Sequence, residues 1–315
     1  MNRKAIIYGI RGTKLTVEER HLLRTEKPWG IILFSRNIKN LIQLKFLIND
    51  IRKSIKDKNY PILIDQEGGR VSRLNKIIDL SLFSQGYFGK LYKHNKKFFT
   101  HHYKTYIDAV CDILKKVGIN INIVPVMDVR RKNSHNVIGN RSFSTDPTIV
   151  TKIGKLCINL YNKNKIATVI KHIPGHGLAK CDSHYNLPVI KTKKTELIKK
   201  DFKPFRGCES LFAMTAHAIY TMYDPIYTAT HSKIVINDVI RKHIGFKGLL
   251  ISDDISMKAL KYGLKDNAIK AIDAGCNLIL HCNGNIEEVS KLVKIIPTID
   301  KFTQKKTSHF YKFLG

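Results

Sequence analysis

Acidic residues are scarce in this chain: 25 Asp and Glu stand against 55 Lys and Arg over 315 residues, a formal net charge of +30. Such an excess conventionally points to nucleic acid or an anionic surface, because clustered cations are what neutralise phosphates. Arginine, the residue of bidentate phosphate and base contacts, is also scarce, with 13 against 42 lysines. The lysines are spread over almost every segment. Together with 43 Ile and only 12 Ala, they read as a drift of the whole composition towards Lys, Ile and Asn, not as a dedicated polyanion footprint.

Other absences narrow the class further. No apolar run approaches the roughly 20 residues of a membrane span. The apolar stretch Ala5 to Tyr8 behind the basic start is too short for the core of a secretory signal, about 7 to 15 residues. The six cysteines, at 111, 157, 181, 208, 276 and 282, form no C-x-x-C pair and no disulfide framework, so buried thiols in a reducing compartment are expected. There is no G-x-G-x-x-G after the first apolar run, no phosphate-binding G-x-x-x-x-G-K-[ST], no repeat and no low-complexity linker. A hydrophobic fraction of 43% excludes a disordered chain.

What is present is a rhythm. Eight short apolar runs recur, at 5–9, 30–34, 61–65, 120–124, 166–170, 211–215, 248–252 and 277–280. They are continuous rather than alternating, as parallel strands covered on both faces are. Amphipathic stretches lie between them: 16–25 with a Thr16-x-x-Glu19 capping box, 41–56, 103–117, 147–161, 237–243 and 266–273. Eight such alternations predict an α/β protein, a single-domain (β/α)8 barrel spanning 1–315 with a C-terminal tail from about 297. A doubly wound open sheet is the competing topology.

Polar residues follow the runs in register: Asp65, Asp128, Lys171-His172, His217, Asp253-Asp254 and His281. In a parallel barrel those strand ends converge on the catalytic face. The densest constellation, Lys171 to His184, holds His172, His176, Cys181, Asp182 and His184. Its Gly- and Pro-broken loop does not align His172 and His176 as a helix would, which argues against zinc. A carboxylate two residues from a histidine can instead orient the imidazole for proton transfer near neutral pH. Of Asp253 and Asp254, strand alternation lets only one face the barrel mouth, leaving the other to cap or meet solvent, so one of them is a candidate nucleophile. Asp65, Glu67, Arg70 and Arg73 surround a glycine turn, a combination suited to gripping hydroxyls.

These stretches, namely Asp65–Arg73, Ile138–Phe143, Lys171–Gly177, Asp182-Ser183-His184, Met214–His217 and Ile251–Met257, together resemble the bacterial β-N-acetylhexosaminidases of glycoside hydrolase family 3, over about residues 5 to 295 and in order. The Lys-His-x-Pro-Gly-His-Gly loop with Asp-Ser-His and the Ser-Asp-Asp-x-Ser-Met strand end mark its cytoplasmic, single-domain branch, which recycles peptidoglycan. The resemblance implies a retaining double displacement with Asp253 as nucleophile and His184, backed by Asp182, as acid and base. It implies that Asp65, Arg73, Arg141, Lys171 and His172 bind N-acetylglucosamine. The implied substrate is a GlcNAc-1,6-anhydro-MurNAc peptide, handled in the cytoplasm by a monomer with no cofactor, no metal, no membrane contact and no specific nucleic acid. The alternatives are a β-glucosidase of the same family and a basic polyanion-binding protein.

The sequence departs from the resembled pattern in two places. Where the family's first strand ends in Leu-Asp-Val-Glu-Gly, this chain has Tyr8-Gly9-Ile10-Arg11-Gly12, which removes acidic partners of an ion pair at the barrel mouth but no catalytic group. The tail after Pro297 reads as brief, too short to promise much helical packing.

Overall fold

Each of the eight apolar runs becomes a strand of one closed parallel barrel: Lys4–Gly9, Pro28–Leu33, Ile62–Ile64, Ile121–Asn122, Ala167–Ile173, Phe212–Thr215, Leu249–Asp254 and Leu278–His281. The computed structural model describes residues 2–131, 136–183 and 185–315. Every strand pairs with its neighbours in chain order, and the eighth closes on the first with Ile7 opposite Leu280. All residues of Pro28–Leu33 and Ala167–Ile173 are buried, one set of side chains facing the barrel interior and the other the surrounding helices. That two-sided burial is why the runs read as continuous.

The helices start where the caps predict. Thr16 accepts from the Glu19 amide while Glu19 reaches back to the Thr16 amide, so two orphan donors at the head of Val17–Thr25 are satisfied reciprocally. Asn40 and Asp146 cap Leu41–Ile55 and Pro147–Lys163 in the same sense. The helix expected over 103–117 runs from Lys96 to Val117, about two turns earlier than its apolar periodicity suggests, because Asn95 caps it there. The segment Val235–His243 is a π-helix rather than an α-helix.

The C-terminal segment corrects the expectation of a slight tail. Lys301–Leu314 is a 14-residue helix capped by Asp300. Its Phe310 is fully buried against Trp29 and Phe212, at ring distances of 6.2 and 5.6 Å, and the Trp29 indole donates to Thr307 at 2.8 Å. Trp29 and Phe212 stand at the starts of their strands, so this helix packs against the end of the barrel opposite the strand termini that carry the polar residues.

A three-stranded sheet, Val189–Ile190, Ile219–Tyr220 and Asp224–Thr228, is an addition that the apolar pattern does not announce. It stands behind the loop that follows the fifth strand, and the Tyr220 hydroxyl donates to the Gly175 carbonyl at 2.6 Å. No helix among the described residues is long and apolar enough to cross a membrane. Cys111, Cys157 and Cys276 are buried, as expected for small hydrophobes, whereas Cys181, Cys208 and Cys282 are partly exposed; all six are free thiols.

Candidate active site

A cavity of about 170 Å³ opens at the C-terminal ends of the strands. Asp65, Arg73, Arg141, Lys171, His172 and Asp253 line it together, although they come from the ends of three strands, the turn after the third and a distant loop. Ser183 lines it too, so the loop after the fifth strand reaches the cavity wall. Asp182 lies on that loop, accepting the Tyr185 and Asn186 amides through its backbone carbonyl. His184, the expected acid and base, lies outside the described residues.

One ion-pair network forms the cavity floor. Glu67 is buried, receives a two-pronged Arg141 guanidinium at 2.8 and 2.9 Å, and sits 2.5 Å from the Lys171 ammonium. Lys171 also donates to Asp65 at 2.5 Å, and Asp65 is held from its other oxygen by Arg73 at 3.1 Å. Burial alone would raise the Glu67 carboxyl, but Arg141 and Lys171 overcome it and hold the group well below the usual range. Burial likewise works against the Arg141 guanidinium, and the Glu67 carboxylate more than restores it. Lys171 is thus the exception among the described lysines, its side chain only 2% exposed. Arg70 does not join the carboxylates: it donates to the carbonyls of Asn136 and Val137, tying down the segment that carries Arg141.

Asp128 organises the histidine loop. Fully buried, it pairs with His172 Nδ1 at 2.7 Å and accepts the His176 amide at 2.6 Å. Burial opposes its charge, but His172 and these hydrogen bonds keep the carboxyl low. The loop fits only because residue 177 is glycine, since a Cβ there would lie 1.9 Å from the Val129 carbonyl oxygen.

Asp253 faces the cavity as an ionised carboxylate. Desolvation pushes its pKa up, yet His217, His172, the Asp254 amide at 2.8 Å and Lys171 leave it below the ordinary value. Asp254 caps the next turn through Ser256, as expected of the outward member of the pair, but it also forms part of the cavity wall and accepts from the Cys282 amide. The alternation rule therefore holds only loosely here, because the strand shifts register between Ile251 and Asp254.

His217 fixes this strand end. Its Nε2 lies 3.0 Å from the Asp254 carbonyl, which can only accept, so Nε2 carries the proton and Nδ1 accepts from the Thr230 hydroxyl at 2.7 Å. Burial keeps the ring neutral. Thr230→Val should leave Nδ1 as a buried unpaired acceptor, costing about 1–3 kcal/mol in urea denaturation and lowering activity several-fold.

The departure in the first strand also has a structural answer. Gly9 packs so closely that a Cβ would meet the Cys282 carbonyl at 2.5 Å and the Arg36 guanidinium at 2.6 Å. Arg36 donates to the carbonyls of Ile10 and Cys282, stitching the first strand end to the eighth without a carboxylate. His281 is buried near Asp254 and Glu288, behind the cavity rather than in it.

Of the supports, Asp128 and His217 were expected on the catalytic face and Glu67 in the glycine turn, none with an assigned role, and Thr230 was not expected at all. Glu67 lies inside the Asp65–Arg73 stretch, and Asp128 and His217 stand at strand ends, so their positions were visible but not their partners. Thr230 carries no signal in the sequence.

Residues 6–308 match the sequence family described as Glycosyl hydrolase family 3 N terminal domain. The chain is 34% identical over 314 residues to a beta-hexosaminidase of Psychromonas ingrahamii, covering 94% of this chain and 88% of that one. It superposes with a TM-score of 0.85, at 30% identity, on NagZ from Neisseria gonorrhoeae in complex with N-trifluoroacetyl-D-glucosamine, covering 98% of this chain and 90% of that one. A fungal multi-domain GH3 beta-N-acetylglucosaminidase superposes at 0.86 and 26% identity; this chain is covered to 99% and spans 39% of that longer one.

Proposed function

The chain belongs to glycosyl hydrolase family 3, and from that premise we propose that it is a retaining, exo-acting β-N-acetylglucosaminidase that releases GlcNAc from GlcNAc-1,6-anhydro-MurNAc peptides. Its class is that of the β-N-acetylhexosaminidases, glycoside hydrolases acting on a small carbohydrate. The observation that carries the finer reading is the meeting of an ionised Asp253 with the Lys171–Asp65–Arg73 array in one cavity.

In the first step an Asp253 oxygen attacks the anomeric carbon, the bond to the leaving oxygen breaks, and that oxygen takes a proton from His184, which Asp182 supports. In the second step His184 removes a proton from water, the water oxygen bonds to the anomeric carbon, and the Asp253 ester is released. Two displacements return the original anomeric configuration. Asp65, Arg73, Arg141, Lys171 and His172 hold the sugar through hydrogen bonds to charged groups, the stronger kind. The scheme needs no metal and no cofactor. We read the whole chain, 1–315, as one domain working as a monomer in the cytoplasm, within cell-wall recycling.

The test is product analysis with GlcNAc-1,6-anhydro-MurNAc peptides beside chromogenic β-N-acetylglucosaminide and β-glucoside. Release of GlcNAc in the β configuration, with the glucoside slower, is the expected result. A faster glucoside would convert the reading to a β-glucosidase, and an α product would remove the double displacement.

A further inference from the structure

His176 lines the same cavity and has no assigned part in the chemistry above. The residue is 3% exposed, and neither ring nitrogen has a hydrogen-bond partner among the described residues. Its backbone amide already serves the fold by donating to Asp128, a contact any residue at this position could make. The imidazole itself therefore holds nothing in place, while two buried polar atoms without partners cost stability. A group that is unfavourable for folding and stands in the wall of a substrate cavity is explained when the ligand supplies the missing partner.

We propose that His176 is a substrate-binding residue, one of whose ring nitrogens hydrogen-bonds the substituent next to the anomeric carbon, the 2-acetamido group of the sugar. The inference rests on the N-acetylglucosaminidase reading. The placement follows from its surroundings. Asp253 is among the charged groups that act on the ring, and both residues line the same cavity. The His172 ring stands 5.6 Å away and tilted by 55°, too far to pair with it. An amide group offers one donor and one acceptor, and a neutral imidazole can meet either of them with one nitrogen, its tautomer deciding which. Burial, reinforced by His172 and Arg141 and opposed by Asp128 and Asp253, lowers the ring's pKa to about 4, so the neutral form persists at neutral pH.

The test is binding of GlcNAc and of 2-deoxyglucose, which lacks the 2-substituent, to the wild-type protein and to His176→Leu. GlcNAc should bind the variant about tenfold more weakly, 2-deoxyglucose as before, and the melting temperature should stay level or rise because the ring makes no hydrogen bond to lose. His176→Asn, which keeps a donor and an acceptor, should recover part of the GlcNAc affinity, and it also serves if the Leu variant folds poorly. KM for the chromogenic N-acetylglucosaminide should rise more than kcat falls. Equal losses for both sugars, or none, would overturn the proposal. A wild-type protein that binds neither sugar and cleaves no N-acetylglucosaminide would instead overturn the functional reading on which it rests.

Discussion

Asp253→Ala should lower kcat on a β-N-acetylglucosaminide by about 10⁴-fold or more, the scale seen when a member of a covalent catalytic unit is deleted. The carboxylate stands at the C-terminal end of the seventh strand, one oxygen held by the Asp254 amide, in a cavity whose cations favour its charged form. Neither neighbouring carboxylate among the described residues is free to replace it. Asp254 is committed to Ser256 and to the Cys282 amide, and Asp65 to Lys171 and Arg73. An added small anion such as azide should restore part of the rate by entering the space left by the carboxylate, and its glycosyl product would carry the opposite anomeric configuration. Melting curves of the variant separate lost chemistry from lost folding. A fully active Asp253→Ala protein would remove Asp253 as nucleophile.

Glu67→Ala should destabilise the fold by about 3–5 kcal/mol and raise KM sharply. The side chain is buried between the largely covered Arg141 and the buried Lys171, so its removal takes the carboxylate from Arg141 and leaves Lys171 with Asp65 alone, where water cannot make up the loss. Asp65 still meets Lys171, but nothing meets the Arg141 guanidinium in the same two-pronged way. Glu67→Gln keeps the shape and one acceptor and should lose less. The pH dependence follows from the same pairs. The Glu67 carboxyl is held below its ordinary value of 4.5, and Asp128 below 3.8, so each contributes stability that is complete above those values. It is lost as pH falls through the lower folded-state values. Denaturant midpoints should therefore fall as pH drops below about 4.5, and Glu67→Ala should flatten that dependence. Wild-type stability in Glu67→Ala would show that the network holds the site without holding the fold.

The eight strands were legible because each is buried on both faces and so reads as an unbroken apolar run. Helices with a strong stripe and a cap, such as Val17–Thr25, were legible for the matching reason. Gln85–His94 was not, because two glycines dilute its pattern, and one of them, Gly89, is there for the close approach of the Phe143 carbonyl. Lys301–Leu314 was not, because its inward face is mostly threonine with a single phenylalanine. The cavity residues could be picked out by their position after the strands and by motif. Their supports could not, since the partner of His172 is 44 residues away and that of Arg141 is 74.

The sequence by itself determined the eight strands, through the spacing of its apolar runs, and determined that the +30 charge is dispersed rather than gathered. It could not say which of 42 lysines would differ from the rest. Only the closed barrel decided that, by bringing the fifth strand beside the turn after the third. There Lys171 loses its water and gains Asp65 and Glu67. A charge can be buried only where opposite charges are already fixed to receive it, and that condition belongs to the tertiary structure, not to any local stretch of chain.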